Sequence, residues 1–114
     1  MHELSIALSI LDLAAEEARR HGDARVLAIH LKLGTLSGVV KEALQFSYDI
    51  ARAGSPLEDA QLVIEDVPVA AYCPTCGDVR AVVSVQQLCC VVCGTPTGQV
   101  VSGQELEVVG LEIQ

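Results

Sequence analysis

The stretch that decides the fold is a pair of cysteine knuckles, Cys73-Pro74-Thr75-Cys76-Gly77 and Cys90-Val91-Val92-Cys93-Gly94. In each knuckle two residues separate the cysteines, so both thiolates can reach one ion from a single tight turn. The glycine that follows each pair allows the positive φ that curls the backbone around the sulfur atoms. Two such knuckles predict one tetrahedral site with zinc as the ion. The predicted zinc ligands are Cys73, Cys76, Cys90 and Cys93.

The fifth cysteine and the identity of the ion leave alternatives open. Cys89 offers a wider spacing to Cys93, but Cys90 repeats the spacing of the first knuckle, so Cys89 is interpreted as a free thiol or a minor alternate ligand. Iron can occupy the same geometry. A redox-active pair is the weaker hypothesis, because zinc-bound thiolates exchange poorly and no helix follows either pair as a thioredoxin-like unit needs. Four thiolates leave no position for water, so the site is predicted to be structural, and the protein not to be an enzyme.

The charge of the chain limits its partners. The 114 residues allow one compact domain with a small appendage, and 15 acidic against 7 basic side chains give a formal charge of -8. Such a chain repels phosphate backbones and anionic membrane surfaces, which leaves cations and basic protein faces as expected partners. A nucleic-acid-binding zinc ribbon is excluded further because Arg80 is the only basic residue between Val63 and Gln114.

The cysteines and the first residues also indicate a compartment. All five cysteines lie between positions 73 and 93, their number is odd, and no basic segment precedes the apolar run from Leu4 to Leu11. We therefore expect reduced thiols in the cytoplasm, with no signal peptide and no membrane insertion.

Outside the knuckles, the hydrophobic pattern predicts two helices. Apolar residues recur at steps of four and three from Leu4 to Ala18, and Gly22 follows as a stop signal. A second helix is expected after the Gly34–Gly38 turn and should stop near Gly54. The apolar stripe of the first helix comprises Leu4, Leu8, Leu11, Ala15 and Ala18, and that of the second comprises Val39, Ala43, Phe46 and Ile50.

Three strands complete the predicted fold. Residues 25–33 and 105–114 alternate between apolar and polar side chains, and residues 62–64 begin a further strand that should fade at Pro68. Because the last strand follows the knuckles, the cysteine-rich part is expected to grow out of the sheet and return to it. The fold class is α+β: two helices on a small, mainly antiparallel three-stranded sheet, with a zinc-ribbon-like insertion before the last strand. The expected domains are residues 1–70 with 101–114, and the insertion, residues 71–100.

The amino terminus carries a second set of metal donors. The α-amine of Met1, the amide nitrogen of His2 and its imidazole can close consecutive chelate rings around one ion, and nitrogen donors in a plane suit Ni(II) or Cu(II). Glu3 can add its amide or carboxylate, or orient the imidazole. The alternative interpretation is that His2 is an incidental exposed residue with no role in metal binding. Because the amine and amide must lose protons, such a site should weaken as the pH falls.

Taken together, three motifs carry a resemblance to a known family. They are Met1-His2-Glu3-Leu4-Ser5, the Gly34-Thr35-Leu36-Ser37-Gly38 turn followed by Glu42-Ala43-Leu44-Gln45-Phe46, and the paired knuckles. In order and spacing the chain resembles the HypA/HybF family of hydrogenase nickel-incorporation proteins, over essentially its whole length. Two departures stand out: many relatives have proline where Val91 follows Cys90, and no histidine lies in or near the cysteine insertion.

The resemblance implies a small nickel metallochaperone. It would deliver Ni(II), together with a HypB-type GTPase, to the precursor of the large subunit of a [NiFe]-hydrogenase, and self-association stays open. Carried over by position, His2 is the principal nickel ligand, Met1 supplies its amine and Glu3 assists, while the four knuckle cysteines match the structural zinc ligands. The competing hypothesis is a structural zinc-ribbon adaptor that binds partner proteins without delivering metal.

Overall fold

The computed structural model describes residues 2–114 and contains two helices and six strands within them. In chain order these are α1 (Glu3–Arg20), β1 (Val26–Gly34), α2 (Lys41–Arg52), β2 (Gln61–Val67), β3 (Ala70–Cys73), β4 (Asp78–Ala81), β5 (Val100–Ser102) and β6 (Leu106–Ile113). No helix formed by these residues is long and apolar enough to cross a lipid bilayer.

The described chain divides into two compact units. The helical unit contains the described residues up to Lys32, residues 39–65 and residues 107–114. The cysteine unit contains residues 33–38 and 66–106. The Gly34–Gly38 turn therefore belongs with the knuckles, although it is far from them in sequence.

A three-stranded sheet of order β2-β1-β6 has β1 at its centre. Arg25 and Gln114 exchange backbone hydrogen bonds of 3.3 and 2.9 Å, which is the pairing of antiparallel strands, at the start of β1 and the end of β6. The Thr35 amide donates to the Val67 carbonyl at 3.2 Å and joins the carboxyl ends of β1 and β2, as expected when α2 forms a crossover between parallel strands. This is the three-stranded sheet that the sequence predicted.

The sequence did not predict a second sheet, which the insertion builds for itself. Its order is β4-β3-β5, and both pairings are antiparallel. Strand β4 ends at Ala81 and the chain then turns, with Ser84 and Gln87 exchanging backbone hydrogen bonds of 3.3 and 3.2 Å. The prediction of an α+β fold with a mainly antiparallel sheet and a cysteine-rich insertion is confirmed.

The buried face of α1 differs from the predicted stripe. Leu4 and Leu8 are each 48% exposed, whereas Ala7 and Ala14 are fully buried. The complete buried set is Ala7, Ile10, Leu11, Ala14 and Ala18. Leu11 and Ala18 of the predicted stripe are buried as expected, but Leu4 and Leu8 are not. Small side chains let neighbouring elements approach closely, and the alanine-bearing side of the helix takes their place. The helix ends as predicted, with basic residues in its last turn and Gly22 at a φ of 72°.

The apolar stripe predicted for α2 was also wrong. Phe46 and Ile50 are 68% and 56% exposed, and Leu44 and Tyr48 are fully buried in their place. The Tyr48 hydroxyl donates to the Ala60 carbonyl at 2.8 Å, so the buried phenol is hydrogen-bonded. This contact joins α2 to a residue outside the helix, and periodicity within the helix could not have indicated it.

Candidate metal centre

The two knuckles have the same local geometry. The Gly77 amide donates to the Cys73 carbonyl at 2.8 Å, and the Gly94 amide donates to the Cys90 carbonyl at 2.8 Å. Both glycines have positive φ, 69° and 76°, as the sequence predicted. Each knuckle is therefore a tight turn that directs its two sulfur atoms to the same side.

The turns bring four sulfur atoms together. The Sγ atoms of Cys73, Cys76, Cys90 and Cys93 all lie within 4.8 Å of one another. The separations are 3.5 Å for Cys73–Cys93, 3.6 Å for Cys76–Cys93 and 3.9 Å for Cys76–Cys90. A tetrahedron with zinc–sulfur bonds of about 2.3 Å has edges of about 3.8 Å, so these three separations are close to those of a zinc site.

The inner half of the cluster consists of Cys73 and Cys90, whose exposed fractions are 0% and 1%. Each sulfur accepts a backbone hydrogen bond of 3.4 Å, from the amide of Cys76 and from that of Val92. Amides pointing at sulfur stabilise its anionic form, which is the form that binds metal. The backbone of the knuckles thus supports the two buried ligands.

Cys93 is the exposed member of the cluster, and side chains support it. Its sulfur lies 3.1 Å from the Thr95 hydroxyl, which lies 3.0 Å from the Thr75 hydroxyl of the first knuckle. Hydrogen bonds from the Thr95 side chain and backbone lower the pKa of Cys93 to about 6. A chain of hydroxyls therefore links the two knuckles and favours a thiolate at Cys93.

Cys76 has a basic neighbour. The Arg80 side chain lies within hydrogen-bonding reach of Cys76, and its Nη1 lies 3.3 Å from an oxygen of Asp78. The hydrogen bond to Cys93 nevertheless raises the pKa of Cys76 to about 12, against the opposing effect of Arg80. Thiols bind metal as thiolates, so binding of a divalent ion would release the protons that the cluster carries.

Cys89 lies outside this group of four. It is half-buried, pairs as an isolated bridge with Pro96, and its carbonyl accepts from the Val83 amide at 3.0 Å. The choice of Cys90 over Cys89, made from spacing, agrees with the position of the sulfur atoms.

The predicted nickel donors lie at the start of α1. His2 is the residue that caps the helix, its side chain is exposed and makes no capping hydrogen bond, and its carbonyl accepts from the Ile6 amide at 3.2 Å. Glu3 is half-buried in the first turn. Met1 lies outside the described residues. Within residues 2–114, three or more potential ligand atoms lie close enough to share an ion only in the cysteine cluster.

The other histidines have carboxylate neighbours. His21 is the C-cap of α1, with its Nε2 3.9 Å from Glu17, and the Nε2 of His30 on β1 lies 3.6 Å from Glu112. His21 therefore lies at a helix end and His30 on a strand, and neither belongs to the cysteine cluster.

Sequence reasoning missed the residues that surround the sulfur atoms. Arg80, Thr95 and Thr75 each belong to the cluster through a side chain. A signal was available for Arg80, since it is the only basic residue of the insertion. The threonines carry no such signal, because hydroxyl residues are common in turns.

Comparison with known sequences identifies a protein family whose match covers almost the whole chain. Residues 1–113 match the family described as "Hydrogenase/urease nickel incorporation, metallochaperone, hypA". A hydrogenase maturation factor HypA from Roseiflexus sp. (strain RS-1) is 50% identical over 114 residues, covering 100% of this chain and 93% of the relative. The corresponding protein of Chloroflexus aggregans (strain MD-66 / DSM 9485) is 46% identical over 112 residues, covering 98% of each.

Two solved structures have the same fold. The solution structure of the Ni metallochaperone HypA from Helicobacter pylori superposes with a TM-score of 0.65 at 25% identity, covering 99% of this chain and 97% of that one. A second structure, described as the solution structure of HypA protein, has a TM-score of 0.72 at 23% identity and covers 100% of this chain and 97% of its own. The chain therefore belongs to the HypA family of hydrogenase/urease nickel-incorporation metallochaperones.

Proposed function

We propose that this protein binds Ni(II) at Met1, His2 and Glu3 and delivers it during maturation of a [NiFe]-hydrogenase, while zinc at the four knuckle cysteines has a structural role. The observation that carries the nickel site is the position of His2, exposed and at the very start of a helix, with an imidazole that makes no capping hydrogen bond. The His2 imidazole is thus not committed to capping the helix.

The start of a helix suits a chelate that contains ionised amides. The first amides of a helix have no partner within it, so the nitrogen atoms of His2 and Glu3 are not needed for helical hydrogen bonds. An amide that loses its proton to bind Ni(II) becomes anionic, and the positive end of the helix dipole favours an anion. The Met1 amine and the His2 imidazole complete a donor set typical of Ni(II).

The zinc ion is proposed to hold the insertion together. When bound, it would supply the attraction that keeps four thiolates in contact, at Cys73, Cys76, Cys90 and Cys93. The proposed division assigns nickel to residues 1–70 with 101–114 and zinc to residues 71–100. A four-thiolate site has no open position, and delivery needs only ligand exchange, so no catalytic base or nucleophile is required and the protein is proposed not to be an enzyme.

The proposed partners follow from the family and the charge. A HypB-type GTPase and the precursor of a hydrogenase large subunit are the expected partners, and the reaction would take place in the cytoplasm. With a net charge of -8, the protein should meet basic faces on its partners, and the rate of association should fall as salt is added.

The test compares untagged protein with His2→Ala and with a variant that carries extra residues before Met1. Nickel and zinc are measured separately, by titration and by elemental analysis. We expect both variants to lose tight Ni(II) binding and to keep one zinc ion per chain. Undiminished nickel affinity in the extended protein would remove the proposed site, and N-terminal sequencing of the untagged protein checks that the amine is that of Met1.

The second candidate, a zinc-ribbon adaptor without metal delivery, is favoured by one surface. Val91 and Val92, at the tip of the second knuckle, are 58% and 67% exposed, and no charged residue occurs from position 81 to 104. Such a tip could contact an apolar partner face. The adaptor predicts that His2→Ala preserves hydrogenase maturation and that Val92→Asp abolishes it, whereas nickel delivery predicts loss in His2→Ala.

A further inference from the structure

The proposed zinc site carries an unbalanced negative charge. Four thiolates around one divalent ion have a net charge of about −2. Residues 81–104, which include the second knuckle, are uncharged, so cations for this charge are scarce in the cysteine unit. A charged cluster with little solvent on its inner side needs a counter-ion or hydrogen-bond donors.

Arg80 is the one basic residue of the cysteine unit, and it lies beside the cluster. On β4 it pairs with Ala71 of β3, two positions before Cys73. Its Nη1 is 3.3 Å from Asp78, and its side chain reaches toward Cys76. The Arg80 side chain is 35% exposed, so most of its surface is removed from solvent beside the cluster.

One atom of this guanidinium has no partner. The Nε of Arg80 is a buried polar side-chain atom without a hydrogen-bond partner among the described residues. A buried N–H group without an acceptor is costly, and such groups in folded proteins usually mark an ion or a charged acceptor that completes the site. The sulfur of Cys76, which would be a thiolate with zinc bound, would be such an acceptor.

We propose that Arg80 is the counter-ion of the zinc–thiolate cluster, and that it donates to the sulfur of Cys76 and protects this outer ligand from attack. The inference rests on the zinc site proposed above. Of the two less buried ligands, Cys93 has the Thr95 hydroxyl as its neighbour and Cys76 has Arg80, while the inner ligands accept from backbone amides. Arg80 is a positioning residue, since it acts on the metal through the sulfur.

The physical effect is on the electron density of one sulfur. A charge-assisted hydrogen bond draws density from the thiolate, which makes it a poorer nucleophile and a poorer proton acceptor. Removing Arg80 should therefore loosen zinc at Cys76 first. Loss of an outer hydrogen-bond partner of a zinc ligand weakens binding by about 10- to 100-fold, and we expect an increase of at least about tenfold in the rate of zinc release to a chelator.

The experiment uses zinc-loaded protein with Arg80→Gln, Arg80→Lys and, as a matched control, Arg20→Gln. Arg20 also forms ion pairs with carboxylates, at 2.8 and 3.2 Å, but it lies on the exposed side of α1. Zinc content is measured first, then zinc release, then alkylation of each cysteine by N-ethylmaleimide followed by mass spectrometry. The cobalt-substituted proteins report the energy of the thiolate-to-metal charge-transfer band.

We expect Arg80→Gln to release zinc faster, to be alkylated faster at Cys76 than at the other three ligands, and to shift the cobalt charge-transfer band to lower energy. Arg80→Lys should recover part of each effect, since it keeps the charge but loses the fork of donors. Arg20→Gln should match the wild type.

The outcomes separate this inference from the zinc site itself. If wild-type protein holds no zinc, the zinc site is wrong and the counter-ion has no cluster to balance. If wild-type protein holds zinc but Arg80→Gln leaves release, alkylation and the cobalt band unchanged, the counter-ion is wrong and the zinc site stands. Uniformly faster alkylation at all four ligands with an unchanged cobalt band would show a general loss of structure and would also overturn the role of Arg80.

Discussion

The helical unit and the cysteine unit reach stability by different means. Most of the buried apolar side chains of the described chain belong to the helical unit, where α1, α2 and the β2-β1-β6 sheet contribute to one core. In the cysteine unit the buried hydrophobic residues are Leu33, Val69, Ala71, Cys73 and Cys90. Two of these five are ligands of the proposed zinc ion. An apolar core this small rarely supports a fold, and the proposed zinc ion would supply the remaining stability.

The two proposed metal sites also depend on the folded structure to different degrees. The cysteine cluster exists only when β3, β4 and both knuckles are folded, because its ligands come from positions up to 20 residues apart. The amino-terminal donors come from Met1, His2 and Glu3, which are consecutive in the chain. One ion is therefore linked to folding, and the other can be exchanged without unfolding the protein. This difference is what a protein that keeps zinc and gives up nickel needs.

The largest effect is expected when a buried cysteine of the cluster is replaced. We predict that Cys90→Ser abolishes zinc binding and removes amide protection throughout the cysteine unit, because three thiolates and a neutral hydroxyl cannot hold the ion tightly. Elemental analysis and hydrogen exchange measure the two effects.

Cys89→Ser is the matched control for that experiment. The Cys89 sulfur lies outside the cluster, so this variant should keep one zinc ion and normal protection. Loss of zinc in Cys89→Ser together with retention in Cys90→Ser would mean that the wrong cysteine has been assigned to the second knuckle. The helical unit should keep its protection in both variants, since its core contains none of these thiols.

The second-largest effect is expected in the core of the helical unit. Leu44 is fully buried on α2, and Leu44→Ala should lower the free energy of unfolding by about 2–5 kcal/mol through the cavity it leaves. Phe46→Ala on the same helix should change it by less than about 0.5 kcal/mol, because Phe46 is 68% exposed. Urea titration of zinc-loaded protein measures both. A larger cost for Phe46→Ala than for Leu44→Ala would support the helix face that the sequence pattern first indicated.

The two helices show which features of the fold could be predicted from the sequence. The existence, order and ends of α1 and α2 were predictable from periodicity and from Gly22 and Gly54. Their buried faces were not, because both helices carry more apolar residues than one face can bury. Which face is buried depends on contacts between elements, such as the bond from Tyr48 to Ala60, and a local pattern contains no information on them.

The metal centre likewise has features that could be predicted from the sequence and features that could not. The convergence of the four knuckle sulfur atoms was predictable because two knuckles with equal spacing have few other uses. The association of the Gly34–Gly38 turn with the cysteine unit was not, although its backbone reason is clear: a Cβ atom at Gly34 would collide with the carbonyl of Gly103. A glycine in a turn is usually explained by its own φ, and here the close approach of the Gly103 backbone explains it.

A smaller effect is expected at the buried phenol. Tyr48→Phe should cost about 1 kcal/mol, because it removes a neutral hydrogen bond while Arg52 continues to donate to the Ala60 carbonyl at 2.9 Å. Burial raises the pKa of Tyr48 above its ordinary value of 10.0. Above that pH the unfolded chain loses the phenolic proton more readily than the folded one, so stability falls as the pH rises.

Urea titrations at pH 8 and pH 11 check this pH dependence. The cost of Tyr48→Phe should shrink or reverse at the higher pH, since the variant has no phenol to ionise at this position. An unfolding free energy that falls equally in both proteins between these pH values would contradict the assignment to Tyr48.

The smallest effect concerns the hydroxyl that supports the outer sulfur. Thr95→Val keeps the shape of the side chain and removes the group 3.1 Å from the Cys93 sulfur. Because that hydroxyl is neutral, its loss should speed zinc release by only a few-fold, about 1 kcal/mol or less in binding, and should raise alkylation at Cys93 more than at Cys76. Thr75→Val removes the more distant hydroxyl and leaves the Thr95–Cys93 contact in place, so its effect should be smaller still. If both variants released zinc at the same rate, the hydroxyl chain would act only as a bridge between the knuckles, and the sulfur of Cys93 would owe its low pKa to the backbone alone.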